Sequence, residues 1–175
     1  MNRSASLSLA VLLVLPAAFA AAHPATAASP HLVPAAARQS APSFTLTDVQ
    51  GKTVSLAQFR GQVVLLDFWA VDCGGCKIEI PWYVQFSHDY RARGLALIGL
   101  DMYGESPAVI RAFMAKAHMD YPVAVGTDAI GHRFGVTALP RTLLIDREGR
   151  IAAAHTGIVD RAQFQSDIRA LLRGD

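Results

Sequence analysis

The chain has 175 residues and a formal net charge of +2; 52% of its residues are hydrophobic and 17% are charged. This composition is too apolar for a disordered chain and provides enough apolar side chains for one buried core. The net charge is small and the sequence contains no basic run, so it has no electrostatic signature of binding to nucleic acid or to anionic lipid.

The first residues have the pattern of a secretory signal peptide. Arg3 provides a positive start, residues 9–15 form an unbroken apolar run, and two A-x-A patterns of small residues follow. A membrane-spanning helix needs about 20 consecutive apolar residues, and this run is interrupted at Pro16. We therefore expect a signal peptide over residues 1–27 and export to the periplasm, with an uncleaved N-terminal membrane anchor as the alternative.

A tether and a single folded domain are expected after the signal peptide. Residues 28–40 are rich in Ala, Pro and Ser and show neither helical nor strand periodicity, which is typical of a linker. The domain is expected over residues 41–175. It opens with a hairpin signal, in which the turn residues 48–51 separate two short strand patterns.

Strand and helix patterns alternate along the rest of the domain. The run 63–69 is apolar on both faces apart from Asp67, as expected of a central strand covered on each side. A helical pattern occupies 73–93, Ser106 and Pro107 have the types that begin a helix, and Asp160 begins the last one. Further strands are predicted at 95–100, 122–125, 142–145 and 150–154. This order predicts an α/β fold with a central mixed β-sheet sandwiched by helices.

Cys73 and Cys76 are the two cysteines of the chain and are spaced C-x-x-C. A disulfide that closes so short a loop restricts the unfolded chain little, which favours redox chemistry over a structural or inert disulfide. The pair follows a buried strand and opens a helix, where backbone N–H groups and the helix dipole stabilise a thiolate on Cys73. Cys76, one turn further in, is the protected resolving thiol.

Metal binding is the other use of such a pair. A structural zinc site needs two more ligands at suitable spacing, and the sequence offers neither a second C-x-x-C nor a matching histidine pair. Cu(I) binding between the two soft thiolates stays open. We expect no resident metal and no cofactor, since the chain has no flavin or nicotinamide motif.

Residues 66–77, Leu-Asp-Phe-Trp-Ala-Val-Asp-Cys-Gly-Gly-Cys-Lys, resemble the active-site segment of the thioredoxin superfamily. Residues 41–59, 95–101 and 135–146 resemble the TlpA-like branch of exported thiol-disulfide oxidoreductases. The resemblance implies a thioredoxin-like fold with an added N-terminal β-hairpin and a central helical insertion at 106–122.

The resemblance also assigns residues to a partner-binding surface. Pro140 matches the cis-proline of the family, which faces the disulfide and presents backbone to the substrate. Leu139 and the surface around Trp69 would complete the partner groove. Pro81 matches the proline that kinks the active-site helix.

Glu79 and Asp67 are the candidate proton carriers. Glu79 lies three residues after Cys76, so helical spacing places it on the side of the inner thiol. TlpA-like proteins carry a glutamate there. Asp67 matches the buried aspartate of cytoplasmic thioredoxins; burial would raise its pKa and make it a proton acceptor for Cys76. The alternatives are a solvated glutamate and a structural carboxylate. The lysine that accompanies this aspartate in thioredoxins is missing, because Gly99 falls at its place.

Two residues depart from the family pattern. Asp72 stands where a second tryptophan is usual, and it either disfavours the Cys73 thiolate or acts as the helix N-cap. Gly75 replaces the usual proline. Both changes can shift the reduction potential.

The expected function is that of a periplasmic thiol-disulfide oxidoreductase that reduces disulfides of exported proteins. By resemblance, its partners include apocytochromes in cytochrome c maturation and copper-site proteins, and its electrons come from a membrane thiol donor. The alternatives are a disulfide oxidase or isomerase, a Cu(I) metallochaperone, and peroxide reduction, because the N-terminal region also resembles peroxiredoxins.

Overall fold

The computed structural model describes residues 31–174, so the predicted signal peptide lies outside the described residues. The strands are β1 Thr45–Thr47, β2 Thr53–Ser55, β3 Val63–Trp69, β4 Leu95–Asp101, β5 Val123–Val125, β6 Arg141–Ile145 and β7 Ile151–Thr156. The helices are α1 Gly74–Tyr90, α2 Pro107–Ala117, α3 Asp128–Arg133 and α4 Arg161–Arg173. None of the helices between residues 31 and 174 has the length and apolar character needed to cross a membrane.

The core of the fold is a five-stranded sheet in the order β5-β4-β3-β6-β7. β3, β4 and β5 are parallel, while β6 runs antiparallel to β3 and β7 antiparallel to β6. Every residue of β3 is buried, which agrees with its run of apolar residues and its central place. The predicted α/β architecture with a mixed sheet is confirmed.

Each face of the sheet is covered by a different set of elements. Leu65 and Trp69 of β3 pack on the face covered by α1, α2 and α4. The alternate residues Leu66 and Phe68 face the N-terminal hairpin and α3. The connections β3-α1-β4 and β4-α2-β5 both join parallel neighbours, and right-handed crossovers place both helices on one face. α4 packs on the same face, where its Phe164 lies against Tyr83 of α1.

Local signals located most of these elements. β1 and β2 form the predicted hairpin, and the Asp48 carboxylate accepts backbone N–H groups within its turn. Ser106 caps α2 by accepting the N–H of Val109, and Asp160 caps α4 in the same way. α2 forms the helical insertion between β4 and β5. α1 continues through Pro81 from Gly74 to Tyr90.

The described part of the segment expected to be a tether packs against the sheet. The N–H of Val33 donates to Ala152 O at 2.8 Å, and the N–H of Ile151 donates to Gln39 O at 2.8 Å. Leu32 is buried, and the buried guanidinium of Arg38 lies 3.3 Å from the Asp146 carboxylate. Residues 32–40 thus cover the outer edge of β7, whose backbone groups would otherwise be unpaired. Composition did not reveal this, because the contacts are mostly backbone hydrogen bonds.

Candidate active site

Cys73 and Cys76 are joined by a disulfide at the start of α1, with their Cα atoms 5.3 Å apart. Cys73 is the N-cap residue of the helix, and the backbone N–H of Cys76 donates to Cys73 Sγ at 3.1 Å. Cys73 is 8% exposed and Cys76 1% exposed. The outer sulfur is therefore the one that a partner can reach, and a thiolate there receives a backbone N–H and the positive end of the helix.

Asp72 does not act as the helix N-cap. Cys73 has the extended backbone conformation of that position, and its sulfur accepts the helical N–H group instead. The Asp72 side chain is exposed and lies next to the outer cysteine. Of the two roles considered for Asp72, only an electrostatic effect on Cys73 fits this arrangement.

The peptide bond between Leu139 and Pro140 is cis, as the resemblance implied. Pro140 packs against the turn between the two cysteines. A Cβ atom at Gly75 would lie 3.0 Å from Pro140 Cδ and 3.3 Å from Ile158 Cγ1. Gly75 therefore permits this close approach, which a residue with a side chain would hinder. Ile158 is 51% exposed and borders the disulfide from the loop before α4.

Glu79 is fully buried on α1, one turn after Cys76. Its Oε1 accepts the backbone N–H of Val159 at 2.7 Å, which links α1 to the loop that precedes α4. Among the described residues, Oε2 has no hydrogen-bond partner. Burial raises the pKa of Glu79, and the hydrogen bond from Val159, followed by the smaller effect of the neighbouring Tyr83 hydroxyl, opposes that rise only in part.

Asp67 is 2% exposed in the middle of β3, paired with Gly99 on β4 and with Thr142 on β6. Gly99 therefore lies directly opposite Asp67 on the neighbouring strand. Thr142 Oγ1 donates to Asp67 Oδ1 at 3.4 Å, while Oδ2 has no partner in residues 31–174. Burial, and after it the negative charge of Glu79, raises the pKa of Asp67 well above its usual value.

Tyr83 and Thr142 belong to this buried group, although the sequence analysis placed them only within a helical pattern and a strand. The Tyr83 hydroxyl and Thr142 Oγ1 are 3.0 Å apart and both side chains are buried. Burial, followed by the charges of Asp67 and Glu79, raises the pKa of Tyr83 well above its usual value. The sequence did contain one signal for Tyr83, since it is a tyrosine one helical turn after Glu79.

Trp69 does not lie on the partner surface. It is fully buried, and its ring lies 5.1 Å from that of Phe113 of α2. Its indole also fills the space beside Gly99, where a Cβ would lie 3.0 Å from Nε1. Trp69 therefore packs in the core between β3 and α2 and contributes no surface to a partner.

An open groove adjoins Leu139 instead. Its volume is about 480 Å³, and its lining includes Met102, Tyr103, His132, Val136 and Leu139. Tyr103 is 65% exposed at the rim. The structure thus places Leu139 and Pro140 beside the disulfide and Tyr103 across the groove. Tyr103 is a surface residue that the sequence analysis did not select.

A second carboxyl pair is formed by Asp101, the last residue of β4, and Glu105 in the loop that follows. Asp101 is fully buried, and its Oδ1 accepts the N–H groups of Gly104 and Glu105 at 2.9 and 3.1 Å. Burial, and after it the Glu105 carboxyl, raises the pKa of Asp101 to about 7. The pair holds the loop that carries Tyr103. Sequence reasoning missed it because the burial of Asp101 depends on the strands around it.

Comparison with known proteins agrees with this site. Residues 37–154 match the AhpC/TSA family. The thiol-disulfide oxidoreductase ResA of Bacillus thuringiensis subsp. konkukian (strain 97-27) is 30% identical over 132 residues, which cover 75% of this chain and 76% of the relative. The ResA protein of Bacillus subtilis (strain 168) is 29% identical over 136 residues, which cover 77% of this chain and 75% of the relative.

A solved structure shares the whole architecture. A thiol:disulfide interchange protein of the thioredoxin family from Chlorobium tepidum TLS is 27% identical, with a TM-score of 0.71 and coverage of 77% of this chain and 97% of that one. The fold of this chain and its C-x-x-C disulfide at the start of α1 point to the same chemistry as the names of the sequence relatives. The chain therefore belongs to the AhpC/TSA family, has a thioredoxin-like fold, and is a thiol-disulfide oxidoreductase.

Proposed function

We propose that this oxidoreductase works as a reductase for disulfides of exported proteins in the periplasm. The observation that carries the proposal is the burial of two carboxyl groups, Asp67 and Glu79, on the side of the resolving cysteine. Both have raised pKa values, so each binds a proton more readily than an ordinary carboxyl group, as a proton acceptor requires. The signal-peptide pattern over residues 1–27 supports the location.

The reaction begins on Cys73. Its thiolate attacks a partner disulfide, a bond forms between Cys73 Sγ and one partner sulfur, and the other partner sulfur leaves as a thiolate that takes up a proton. Cys76 then passes its proton to the carboxylate of Glu79 or Asp67. The Cys76 thiolate attacks Cys73 Sγ, the internal disulfide forms, and the second partner sulfur leaves. The partner has gained two electrons, which an external thiol donor must restore to the protein.

The charges around the cysteine pair favour the direction of reduction. Asp67 and Glu79 are buried, with Glu79 one helical turn after Cys76, and Asp72 is exposed beside Cys73. Ionised carboxyl groups near a thiol disfavour its thiolate form. Negative charge therefore destabilises the reduced form of the cysteine pair relative to its disulfide. A pair with a less stable reduced form gives up its electrons more readily, so these charges lower the reduction potential.

The partners follow from the same resemblance and surface. Exported apocytochromes and copper-site proteins are the proposed substrates, and a membrane thiol carrier is the proposed donor. Leu139, Pro140 and the groove lined by Tyr103 would receive an extended segment of the substrate on either side of its cysteine. Ile158 adds an exposed apolar contact next to the disulfide.

The test is the reduction potential of the Cys73–Cys76 pair, measured by equilibration with dithiothreitol in a chain that begins at residue 31. We expect a low value, near the roughly −270 mV typical of thioredoxin. A value near the roughly −120 mV of a strong oxidant would overturn the reductase and support an oxidase.

The same preparation separates the remaining alternatives. Turnover of insulin disulfides, with Cys73→Ser as the inactive control, reports on reduction. Tight 1:1 binding of Cu(I) without insulin turnover would favour the metallochaperone. Peroxide consumption that outpaces insulin reduction would favour a peroxidase.

A further inference from the structure

Two buried hydroxyl groups lie between the two buried carboxyl groups of the site. Thr142 Oγ1 is 3.4 Å from Asp67 Oδ1 and 3.0 Å from the hydroxyl of Tyr83. Asp67, Thr142 and Tyr83 are 2%, 1% and 0% exposed, so solvent does not compete for these bonds. Glu79 lies one helical turn before Tyr83, on the same side of α1.

The fold holds these hydroxyl groups in place from two directions. Asp67 and Thr142 are paired in register between β3 and β6, so the sheet sets their separation. The Tyr83 ring packs against Phe86 and Phe164, which fixes it between α1 and α4. Neither partner can move away without disturbing the sheet or the aromatic cluster.

The direction of this hydrogen-bond chain depends on the state of Asp67. A threonine hydroxyl has one proton to donate. When Asp67 is ionised, Thr142 donates to it and accepts from Tyr83. When Asp67 is protonated, it can donate to Thr142, which then donates to the Tyr83 oxygen. The Tyr83 proton is then free to turn toward Glu79, whose Oε2 lacks a partner among the described residues.

We propose that Thr142 and Tyr83 are positioning residues that form a hydroxyl relay, which couples the protonation of Asp67 to that of Glu79. The two carboxyl groups then hold one proton as a unit behind Cys76. The relay deepens the proposed function, because the group that accepts the Cys76 proton is then the carboxyl pair together with its hydroxyl relay. Only this role in accepting the Cys76 proton rests on the proposed function.

Other titratable groups surround the relay and belong to its electrostatics. Tyr121 is buried and senses the charge of Asp67, which contributes to raising the pKa of that tyrosine. His155 of β7 is paired with Thr142 of β6. Burial lowers the pKa of His155, and the charge of Asp167 on α4 opposes this change. No lysine or arginine of the described chain forms an ion pair with Asp67 or Glu79. The shared charge is therefore stabilised mainly by hydrogen bonds.

The experiment is a ¹³C NMR titration of the Asp67 and Glu79 carboxyl groups in the oxidised protein, where the cysteines do not titrate. Coupling is measured as the shift of the Asp67 midpoint on introducing Glu79→Gln. We expect a downward shift of about one pH unit or more, or roughly tenfold in proton affinity. In the Tyr83→Phe and Thr142→Val backgrounds we expect at least half of that shift to be lost.

Thr142→Ser is the matched control, because it keeps the hydroxyl and should keep the shift. The same shift in all four backgrounds would mean that the carboxyl groups interact only through space, and the relay would be overturned. Tyr83→Phe keeps the packed ring, so it provides the test even where Thr142→Val fails to fold. The titration needs no redox partner, so the relay and the reductase can fail separately.

Discussion

The close approach of Pro140 to the C-x-x-C turn makes Gly75 a sensitive position. We predict that Gly75→Ala has a free energy of unfolding about 1 kcal/mol lower than that of Gly74→Ala, because only at Gly75 would the added Cβ press on the Pro140 ring and on Ile158. Gly74→Ala is the control. A Cβ at Gly74 meets no atom within 4 Å, and alanine suits a helix better than glycine. Urea unfolding checks both variants, and equal effects would contradict the packing argument.

Glu79 is predicted to act in the resolving step. Glu79→Gln should slow the attack of Cys76 on the mixed disulfide by about tenfold to hundredfold, because general acid–base groups typically contribute 10²–10⁴ and Asp67 remains. Stopped-flow release of the reduced partner measures the step. Glu148→Gln, which changes an exposed glutamate that pairs with Arg150, is the control. A rate equal to that of the unaltered protein across the pH range would remove Glu79 from the mechanism.

Asp101 should make the stability of the protein depend on pH. Its pKa is about 7 in the folded state and roughly 3.9 in an unfolded chain. Between these values the folded state binds more protons than the unfolded state, so the free energy of unfolding falls as the pH rises from about 4 to about 7. Asp101→Asn should flatten this fall, since the amide oxygen can still accept from Gly104 and Glu105.

The check is urea unfolding at a series of pH values, with Asp89→Asn, a change at an exposed carboxyl, as the control. Buried Asp67 and Glu79 also have raised pKa values and act in the same direction. A slope that Asp101→Asn leaves unchanged would assign the pH dependence to those two residues.

Among the elements, the N-terminal segment 32–40 is hydrogen-bonded to the edge strand β7. We predict that a chain starting at Ala41 is less stable than one starting at residue 31 by on the order of 3 kcal/mol. The loss combines the burial of Leu32 with the backbone bonds of Val33 and Gln39 to β7. Arg38→Ala in the longer chain should reproduce part of the loss, because Asp146 keeps Arg150 as a partner. Equal unfolding midpoints for the two chains would show that the segment contributes nothing.

α1 connects the chemistry to the rest of the fold. Its first turn carries the disulfide, its second turn carries Glu79, and Tyr83 follows one turn later. Because Glu79 accepts from Val159, the helix is also tied to the loop that presents Ile158 beside Gly75. One helix therefore links the disulfide, the buried Glu79 carboxyl group and the exposed Ile158 side chain.

For the whole molecule, the direction of electron flow and the stability of the fold are linked. If the cysteine pair is reducing, the disulfide is favoured more in the folded state than in the unfolded chain. We then predict that the oxidised protein has the larger free energy of unfolding, and each 30 mV is worth about 1.4 kcal/mol. Urea unfolding with and without dithiothreitol measures the difference. A more stable reduced protein would indicate an oxidase.

Most of the architecture was predictable because its signals are local. The apolar run of β3, the hairpin turn after β1, and the cap residues Ser106 and Asp160 each act within a few residues of chain. The short helix α3 was not predicted, since it has six residues and includes a glycine. A Cβ at its Gly131 would lie 2.9 Å from Met102 Cε, the end of a flexible side chain that can move aside.

Patterns in the sequence were enough to predict the order of the elements, the C-x-x-C pair at the start of a helix, and the positions of Glu79 and Asp67 near it. Which groups these carboxyls meet could be seen only in the folded chain, as could the burial of Trp69 and the place of Tyr103 at the rim of the groove. Tyr83 and Thr142 are 59 residues apart, and Thr142 and Asp67 are 75 apart. Periodicity and capping act over one or two turns of chain, whereas these contacts depend on the register of β3 with β6 and on the packing of α1 above them.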